Sequence, residues 1–452
     1  MIISWKLGRA MALLTGFSLL VACSQLPRNP VPVALMPAAE IPGMPNIRAG
    51  AGHISPIFEA DLLQSYKDES KEMFRAADGT LVYPHLALSG GGPNGAFGAG
   101  FLNGWTKTGK RPVFKVVSGV STGALIAPFA FLGSDHDQAL HDFYTTTTTR
   151  DIFHLDNLLF RLFFRESLAD TSPLSKLIDG HITPELMSEI AKAHQHGRRL
   201  YMGTVDLDSQ RFMVWNMGLI AAKGTPEALM LFRKVMLASS SVPVAFSPVF
   251  FDVVAQGKHY DEMHVDGGVA ARVFYNGGVY SSKVVRARAG LIDSKEDIYI
   301  IHNGQLGPQP ESTPRLVRNI ALRTLDSTSK AALVGDLYRI YAFSLAEKSG
   351  FHWITIPSNV DTNGAEIFDP LHGERPLGGK GGQQGQIGGG FIADTGNDLH
   401  ACAAGMPGGG QLVAAGQADG HLVGARAHVV EQVLAVRVGG GGAHRVVGGV
   451  EQ

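Results

Sequence analysis

Three short glycine-containing stretches hold the residues whose types and spacing suit chemistry. The first covers residues 86–100 (LALSGGGPNGAFGAG), in which Gly90, Gly92 and Gly95 have the spacing G-x-G-x-x-G. Backbone N–H groups in such a loop, with a helix N-terminus behind them, favour the binding of an anion. That anion is either a bound phosphate or an oxyanion that exists only in a transition state.

Two phosphate-binding interpretations of this loop require residues that the sequence lacks. A dinucleotide site requires an acidic residue about 20 positions further on, at the end of the next strand, and residues 118–121 contain none. A P-loop requires Lys and then Ser or Thr after its glycines, whereas Ala96 and Phe97 follow Gly95. An oxyanion hole requires only converging N–H groups, and glycine permits the unusual backbone angles involved. The sequence therefore favours an oxyanion hole.

The second stretch places a serine at the spacing of a nucleophile elbow. Ser121 is flanked two positions away by Gly119 and Gly123 (GVSTG). A strand is predicted before it at Val116-Val117, and an apolar helix after it over residues 122–132. On such a turn the serine is exposed at the end of the sheet, and the small glycines let strand and helix approach each other. The helix N-terminus favours developing negative charge, so we predict that Ser121 is a nucleophile.

The third stretch supplies a candidate base. Asp266 precedes Gly267 and Gly268 (HVDGGV), so a tight turn can carry its carboxylate toward another loop. A serine nucleophile needs a group that accepts its proton. An Asp-Gly pair is by itself more typical of an ordinary turn, so this assignment depends on the other two stretches.

In this order and spacing, the stretches resemble the patatin-like phospholipase family over about residues 80–370. Four segments carry the resemblance: the glycine-rich motif at 90–95, the elbow at 119–123, the block at 238–243 with Phe246 and Pro248, and the Asp-Gly-Gly motif at 266–268. One departure is Asn94, where many members carry Arg or Lys. This change removes a charge near the loop but leaves the backbone donors intact.

The resemblance implies a Ser–Asp dyad without a metal or cofactor. In it Ser121 attacks an acyl ester of a phospholipid or lysophospholipid, and Asp266 accepts the serine proton. The N–H groups of Gly90, Gly91 and Gly92 stabilise the oxyanion. The remaining motif glycines are Gly95, Gly119, Gly123, Gly267 and Gly268.

Two alternatives to this dyad stay open on the sequence alone. A histidine completes a Ser-Asp-His triad in other hydrolases, and His264, His302 and His352 are candidates here. The second alternative is a catalytically impaired protein that binds lipid or a partner, which Asn94 and an unusual C-terminal segment motivate.

Strands alternating with helices must position these residues. Strands are predicted at 86–88, 116–117, 200–205, 212–215 and 298–301, and helices at 122–132, 225–238 and 328–346. A further helix places Phe97, Phe101 and Trp105 on one face. This alternation predicts an α/β fold, a three-layer sandwich with a mostly parallel central sheet.

The N-terminus resembles a bacterial lipoprotein signal. Lys6 and Arg9 precede an apolar run over residues 11–22, which is too short to span a bilayer comfortably. The run ends at Cys23, so the resemblance implies a signal peptide over 1–22, a lipid-modified Cys23 and attachment to a membrane surface. Ser24 implies sorting to the outer membrane. The alternative is an ordinary secretory signal with an incidental cysteine.

Composition sets the remaining domain limits. The chain is 45% hydrophobic with a net charge of −1 and shows no basic stripe, so we expect no nucleic-acid partner. The Pro-rich residues 23–54 predict an extended tether, and residues 55–370 the acyl hydrolase domain. Residues 158–164 predict a helix that contacts lipid or the core. The Gly-rich residues 371–452 predict a disordered tail, native or frameshifted.

Overall fold

Residues 28–145, 171–357 and 360 are described by the computed structural model of the protein. Within them nine strands form one sheet. The strands are β1 (Arg48–Gly50), β2 (Val82–Leu88), β3 (Val116–Gly119), β4 (Arg199–Asp206), β5 (Arg211–Asn216), β6 (Val249–Ala255), β7 (Lys258–Asp266), β8 (Lys295–His302) and β9 (Gly350–Thr355).

Helices connect most of these strands. The α-helices are α1 (Pro56–Asp68), α2 (Gly95–Lys107), α3 (Thr122–Leu132), α4 (Asp137–Thr145), α5 (Ser172–His181), α6 (Pro184–Gln195), α7 (Met217–Ala221), α8 (Pro226–Ser239), α9 (Ser282–Arg288) and α10 (Val317–Glu347). Short 3-10 helices lie at Val33–Ala38, Lys71–Phe74, Gly92–Asn94, Ser134–His136 and Gly267–Val269. Several α-helices begin as their sequences predict: Thr225 caps α8 through its side chain and Pro226 occupies the first turn.

The middle of the sheet is parallel, in the order β4-β3-β2-β8-β9. Beyond β4 the sheet continues antiparallel through β5 to β1, while β7 also pairs with β4 and carries β6. All strands except β5 and β7 therefore run in the same direction. Because parallel neighbours need crossover connections, helices lie over the sheet.

Buried side chains pack on both faces of the sheet. Successive residues of β2 point to opposite faces, so Leu86 packs in one apolar cluster with Leu102 of α2, whereas Ala87 packs in another with Leu333 of α10. A third cluster, which includes Phe58 of α1, packs on the face of the sheet opposite Leu86. The helix–sheet–helix arrangement confirms the predicted three-layer α/β fold.

The prediction that residues 23–54 form an extended tether is wrong for residues 28–54. Val31, Ile41 and Ile47 are buried in the main core, and β1 pairs with β5. Arg28 also forms an ion pair with Asp261 on β7. Proline spacing predicts an extended backbone but cannot show that the apolar residues between the prolines have a surface to bury against.

Most of the predicted strands and helices are confirmed. The rings of Phe97, Phe101 and Trp105 contact one another along one face of α2, and residues 328–346 lie within α10. The predicted signal peptide and Cys23, the helix at 158–164 and the tail at 371–452 lie outside the described residues.

Candidate active site

Ser121 occupies a strained turn between β3 and α3. Its φ is +55° and its ψ is −128°, a conformation that costs a non-glycine residue of order 1–3 kcal/mol. The turn needs glycine on both sides. A Cβ atom at Gly119 would overlap the Gly123 carbonyl, and one at Gly123 would overlap the Leu88 carbonyl. The strand–serine–helix context that the GVSTG spacing predicts is therefore present.

The glycine loop follows β2 and passes directly over this serine. A Cβ atom at Gly90 would lie only 3.1 Å from Ser121 Cβ. The loop therefore passes this close to Ser121 because residue 90 has no side chain. A Cβ atom at Gly91 would overlap the Asn303 carbonyl. Gly92 has a φ of +55°, in the left-handed region that favours glycine. At Gly95, a Cβ atom would overlap the hydroxyl of Thr122.

The structure corrects one of the three expected oxyanion donors. The Gly90 N–H already donates a hydrogen bond to the Arg272 carbonyl (2.9 Å), so it is not available to a substrate oxygen. Within the described residues, the N–H groups of Gly91 and Gly92 donate no hydrogen bond. The spacing of the glycines predicts the loop, but not which N–H groups face the serine.

Thr122 is an oxyanion candidate that the sequence reasoning missed. It is the first residue of α3, is buried, and its N–H donates no hydrogen bond within the described part of the chain. In a nucleophile elbow, the N–H of the residue after the nucleophile commonly stabilises the oxyanion. Applying that rule to Ser121 would have identified Thr122.

Asp266 reaches Ser121 through the pairing of its strand. β3 pairs with β4 over residues 199–202, and β7 pairs with β4 over residues 204–206. Because β5 occupies the other edge of β4, β3 and β7 share one edge. The end of β7 therefore lies straight ahead of the end of β3. This topology brings together two residues that are far apart in the sequence.

The Asp266 carboxylate is buried and only partly satisfied. Its Oδ1 accepts the Gly268 N–H (2.7 Å), whereas its Oδ2 has no hydrogen-bond partner of normal geometry. Burial raises the pKa of Asp266 from 3.8 to about 6, while Ser121, the Gly268 N–H and the charge of Arg272 each lower it. A carboxylate of this kind is ionised at neutral pH and still basic enough to accept a proton.

Gly267 keeps the Asp266 turn close to the strand beside it. A Cβ atom at Gly267 would lie 2.5 Å from the Gly203 carbonyl oxygen of β4. A Cβ atom at Gly268 would lie 2.9 Å from Asp266 Oδ1, so a side chain there would press on the carboxylate. Both glycines of the motif are thus required by close approach.

Three consecutive serines connect the elbow to Asp266, a role that the sequence did not assign to them. The Ser121 N–H donates to Ser239 Oγ (3.0 Å), and Ser239 Oγ donates to the Gly203 carbonyl (2.7 Å). Ser240 Oγ donates to the Ser121 carbonyl (3.3 Å), and the Asp266 N–H donates to the Ser241 carbonyl (2.9 Å). These bonds fix both ends of the dyad to the end of α8.

Asn303 supports the glycine loop from β8. Its N–H donates to Ser89 Oγ (2.8 Å), and its side-chain amide donates to the Ser89 carbonyl (2.8 Å). Asn303 is fully buried and lies against Gly91. No motif marks it, because an isolated asparagine after a strand has no distinctive spacing.

The three candidate histidines make contacts away from Ser121. His264 bonds Thr204 (2.9 Å) and Glu262 (3.1 Å) through its two ring nitrogens. His302 bonds the Gly304 carbonyl (2.9 Å), and burial lowers its pKa to about 3. His352 stacks on Tyr299. Within the described residues, none of them hydrogen-bonds Ser121 or Asp266, so the geometry favours the dyad over the triad.

Residues 28–145, 171–357 and 360 show neither a metal cluster nor a membrane-spanning helix. They contain no group of three or more His, Cys, Asp or Glu side chains arranged to hold a metal ion. Their helices include none with the length and apolar character needed to cross a membrane.

This fold and this site define an α/β protein with a serine on a sharp strand-to-helix turn. Residues 86–276 match the family model described as patatin-like phospholipase. This stretch is therefore similar to the patatin-like phospholipase family, as the resemblance predicts, and the matched residues include Ser121 and Asp266.

Two solved structures show a distant similarity to part of the chain. VipD from Legionella pneumophila is 13% identical with a TM-score of 0.32, covering 60% of this chain and 58% of that one. Human GIVD cytosolic phospholipase A2 is 9% identical with a TM-score of 0.28, covering 65% of this chain and 52% of that one. The chain thus spans little more than half the length of either structure. A comparison with curated proteins gives no match.

Proposed function

We propose that the protein is a lipid acyl hydrolase in which Ser121 is the nucleophile and Asp266 the base. The observation that carries this proposal is their juxtaposition: a serine on a strained elbow faces a buried carboxylate with an unpartnered oxygen. The family match supports a lipid ester as substrate. We further propose that this substrate is a phospholipid or lysophospholipid.

The geometry supports a two-step reaction. Asp266 Oδ2 accepts the Ser121 proton while Ser121 Oγ attacks the ester carbonyl. The resulting oxyanion accepts hydrogen bonds from the N–H groups of Gly91, Gly92 and Thr122. The positive end of the α3 dipole stabilises the same charge. Collapse of the intermediate expels the alcohol, which takes the proton from Asp266 and leaves an acyl-serine. Asp266 then activates water, which releases the fatty acid and restores Ser121.

The asparagine at position 94, where many family members carry Arg or Lys, does not remove the proposed catalytic groups. Asn94 lies at the end of the glycine loop, where its N–H donates to the Gly91 carbonyl (3.2 Å). The N–H groups of Gly91 and Gly92 are unaffected by the identity of that side chain. No observation of the site favours the non-catalytic alternative.

Fatty-acid release from phosphatidylcholine vesicles and from lysophosphatidylcholine tests the proposal. Ser121→Ala and Asp266→Asn should each lose about 10⁴-fold in rate, as catalytic groups of hydrolases do. Ser294→Ala, at a turn before β8, is the matched control and should retain the wild-type rate. Equal rates for Ser121→Ala and the wild type would overturn the proposal. Accumulation of lysophospholipid distinguishes a phospholipase A from a lysophospholipase.

We also propose that Cys23 carries a lipid that anchors the protein, in the outer membrane if the neighbouring Ser24 directs sorting. The support is the sequence of the N-terminal segment alone. Since the fold already includes Arg28, such an anchor would hold the domain close to the bilayer, within about 20 Å of extended chain. Cys23→Ser should abolish palmitate incorporation and membrane retention. Retention without label would indicate an uncleaved signal instead.

A further inference from the structure

Arg272 has its backbone fixed between the glycine loop and α10. Its carbonyl accepts the Gly90 N–H (2.9 Å), and its own N–H donates to Asp336 Oδ2 (2.7 Å). Asp336 is buried, and its second oxygen accepts a hydrogen bond from Arg339 (2.8 Å). The same bond that removes Gly90 from the oxyanion hole therefore holds Arg272 at the rim of the site.

The guanidinium of Arg272 borders the space around the dyad. Its Nη1 lies 3.7 Å from the point where a Cβ atom of Gly90 would stand, and Ser121 Cβ lies 3.1 Å from that point. It also lies 3.4 Å from the corresponding point at Gly268, which is 2.9 Å from Asp266 Oδ1. Because both positions are glycine, neither contributes a side chain between the guanidinium and Ser121 or Asp266.

This guanidinium is unpaired in the described part of the chain, where it neither donates a hydrogen bond nor forms an ion pair. Three buried arginines elsewhere in the fold do form ion pairs: Arg48 with Glu262, Arg199 with Asp61, and Arg286 with Glu296. Arg272 is half-buried, and its charge lowers the pKa of Asp266 and of His302. Donors held in a partly buried position without an acceptor suit an anionic ligand.

We propose that Arg272 binds the phosphate of the substrate and makes the site select acyl esters that carry a phosphate near the ester bond. This inference rests on the proposed function, since it names the substrate class of the same site. A planar guanidinium binds phosphate through two parallel hydrogen bonds, which an ammonium group cannot reproduce. A neutral acylglycerol offers no such group, so it forgoes this interaction.

A matched pair of substrates tests this selectivity: a monoacylglycerol phosphate and the monoacylglycerol with the same acyl chain. Arg272→Gln should lower the ratio of their kcat/KM values by about tenfold or more. Arg272→Lys should recover part of the ratio, because charge is kept and the fork is lost. Arg288→Gln removes an exposed cation from α9 and should leave the ratio unchanged. An equal loss on both substrates, or an unchanged ratio, would overturn the inference.

A binding experiment separates this inference from the proposed function. Octyl phosphate and the neutral 1-O-octyl glycerol are titrated into Ser121→Ala and into the double variant with Arg272→Gln. Loss of about tenfold in affinity for octyl phosphate alone supports the inference whatever the hydrolysis assays show. Equal affinity of the two proteins for octyl phosphate refutes it, even when Ser121 proves essential for hydrolysis.

Discussion

The two ends of the parallel strands differ in whether their buried polar groups have partners. At the amino ends, Lys115 before β3 pairs with Glu69, which also accepts the Tyr83 hydroxyl (2.7 Å), and Arg199 at the start of β4 pairs with Asp61 (2.6 Å). Each of these charges has a partner of opposite sign.

At the carboxyl ends the polar groups are left incomplete. Ser121 holds a strained φ, Asp266 keeps one oxygen without a partner, and Arg272 is unpaired within the described residues. Burying such groups costs free energy unless a ligand satisfies them. The charges at the amino end are therefore satisfied within the fold, whereas under the proposed function the incomplete groups at the carboxyl end are satisfied by a substrate.

The largest expected effect on stability is at the amino end. Glu69→Gln leaves the Lys115 ammonium buried without a counter-charge, so the free energy of unfolding should fall by about 3–5 kcal/mol. The kcat/KM of the folded fraction should not change, because the site lies at the other end of the strands. Urea denaturation measures the loss. The exposed Glu72→Gln is the matched control, with a loss below about 1 kcal/mol. A change in kcat/KM beside intact stability would contradict the comparison.

Removing the charge of Asp266 should raise the free energy of unfolding, whereas removing the charge of Glu69 should lower it. Its pKa is raised from 3.8 to about 6 in the fold, so the ionised form destabilises the protein above pH 6. Asp266→Asn should raise the free energy of unfolding at pH 8 by about 3 kcal/mol. The gain should shrink as pH falls from 6 and vanish below 3.8, where the wild-type carboxyl is protonated in both states. Denaturation at pH 8 and at pH 4 provides the measurement, and a destabilised variant at pH 8 would refute the prediction.

The same pKa fixes the pH dependence of hydrolysis. Because Asp266 must be ionised to accept the serine proton, kcat/KM should fall about tenfold per pH unit below a midpoint of about 6. Initial rates between pH 4.5 and 8 on a neutral ester give the profile, with folding checked by circular dichroism. A flat profile from pH 7 to 5 would exclude Asp266 as the base.

The smallest expected effect concerns the strain at Ser121. Glycine relieves the positive φ that alanine retains, so Ser121→Gly should be more stable than Ser121→Ala by about 1 kcal/mol, with both inactive. Ser294 has no positive φ, and there glycine should be less stable than alanine. The same order at both positions would show that the elbow stores no strain.

The sequence predicted the carboxyl end of the sheet far better than the amino end. Gly119 and Gly123 are required by close backbone approach, and such constraints leave a readable pattern around Ser121. By contrast, Glu69 and Lys115 are ordinary charged residues, and only the packed fold brings them together. The availability of the Gly90 N–H also depends on a distant segment, since its acceptor is the carbonyl of Arg272.

The prediction that residues 28–54 form an extended tether was wrong for a related reason. Proline spacing describes the local backbone, whereas the burial of Val31 and Ile47 depends on sheet surface contributed by distant residues. The serines that fix the elbow were visible as a block at 238–243, but their donors and acceptors follow only from the placement of α8 against β4.

Covalent labelling tests most directly whether the carboxyl end of the sheet performs the chemistry. The protein is treated with a fluorophosphonate at pH 8, and the modified residue is identified by peptide mass spectrometry. We expect one adduct, on Ser121, formed much more slowly in Asp266→Asn and unaffected by Glu72→Gln. An adduct on another serine, or undiminished lipid hydrolysis by a protein whose Ser121 stays unlabelled, would contradict the assignment.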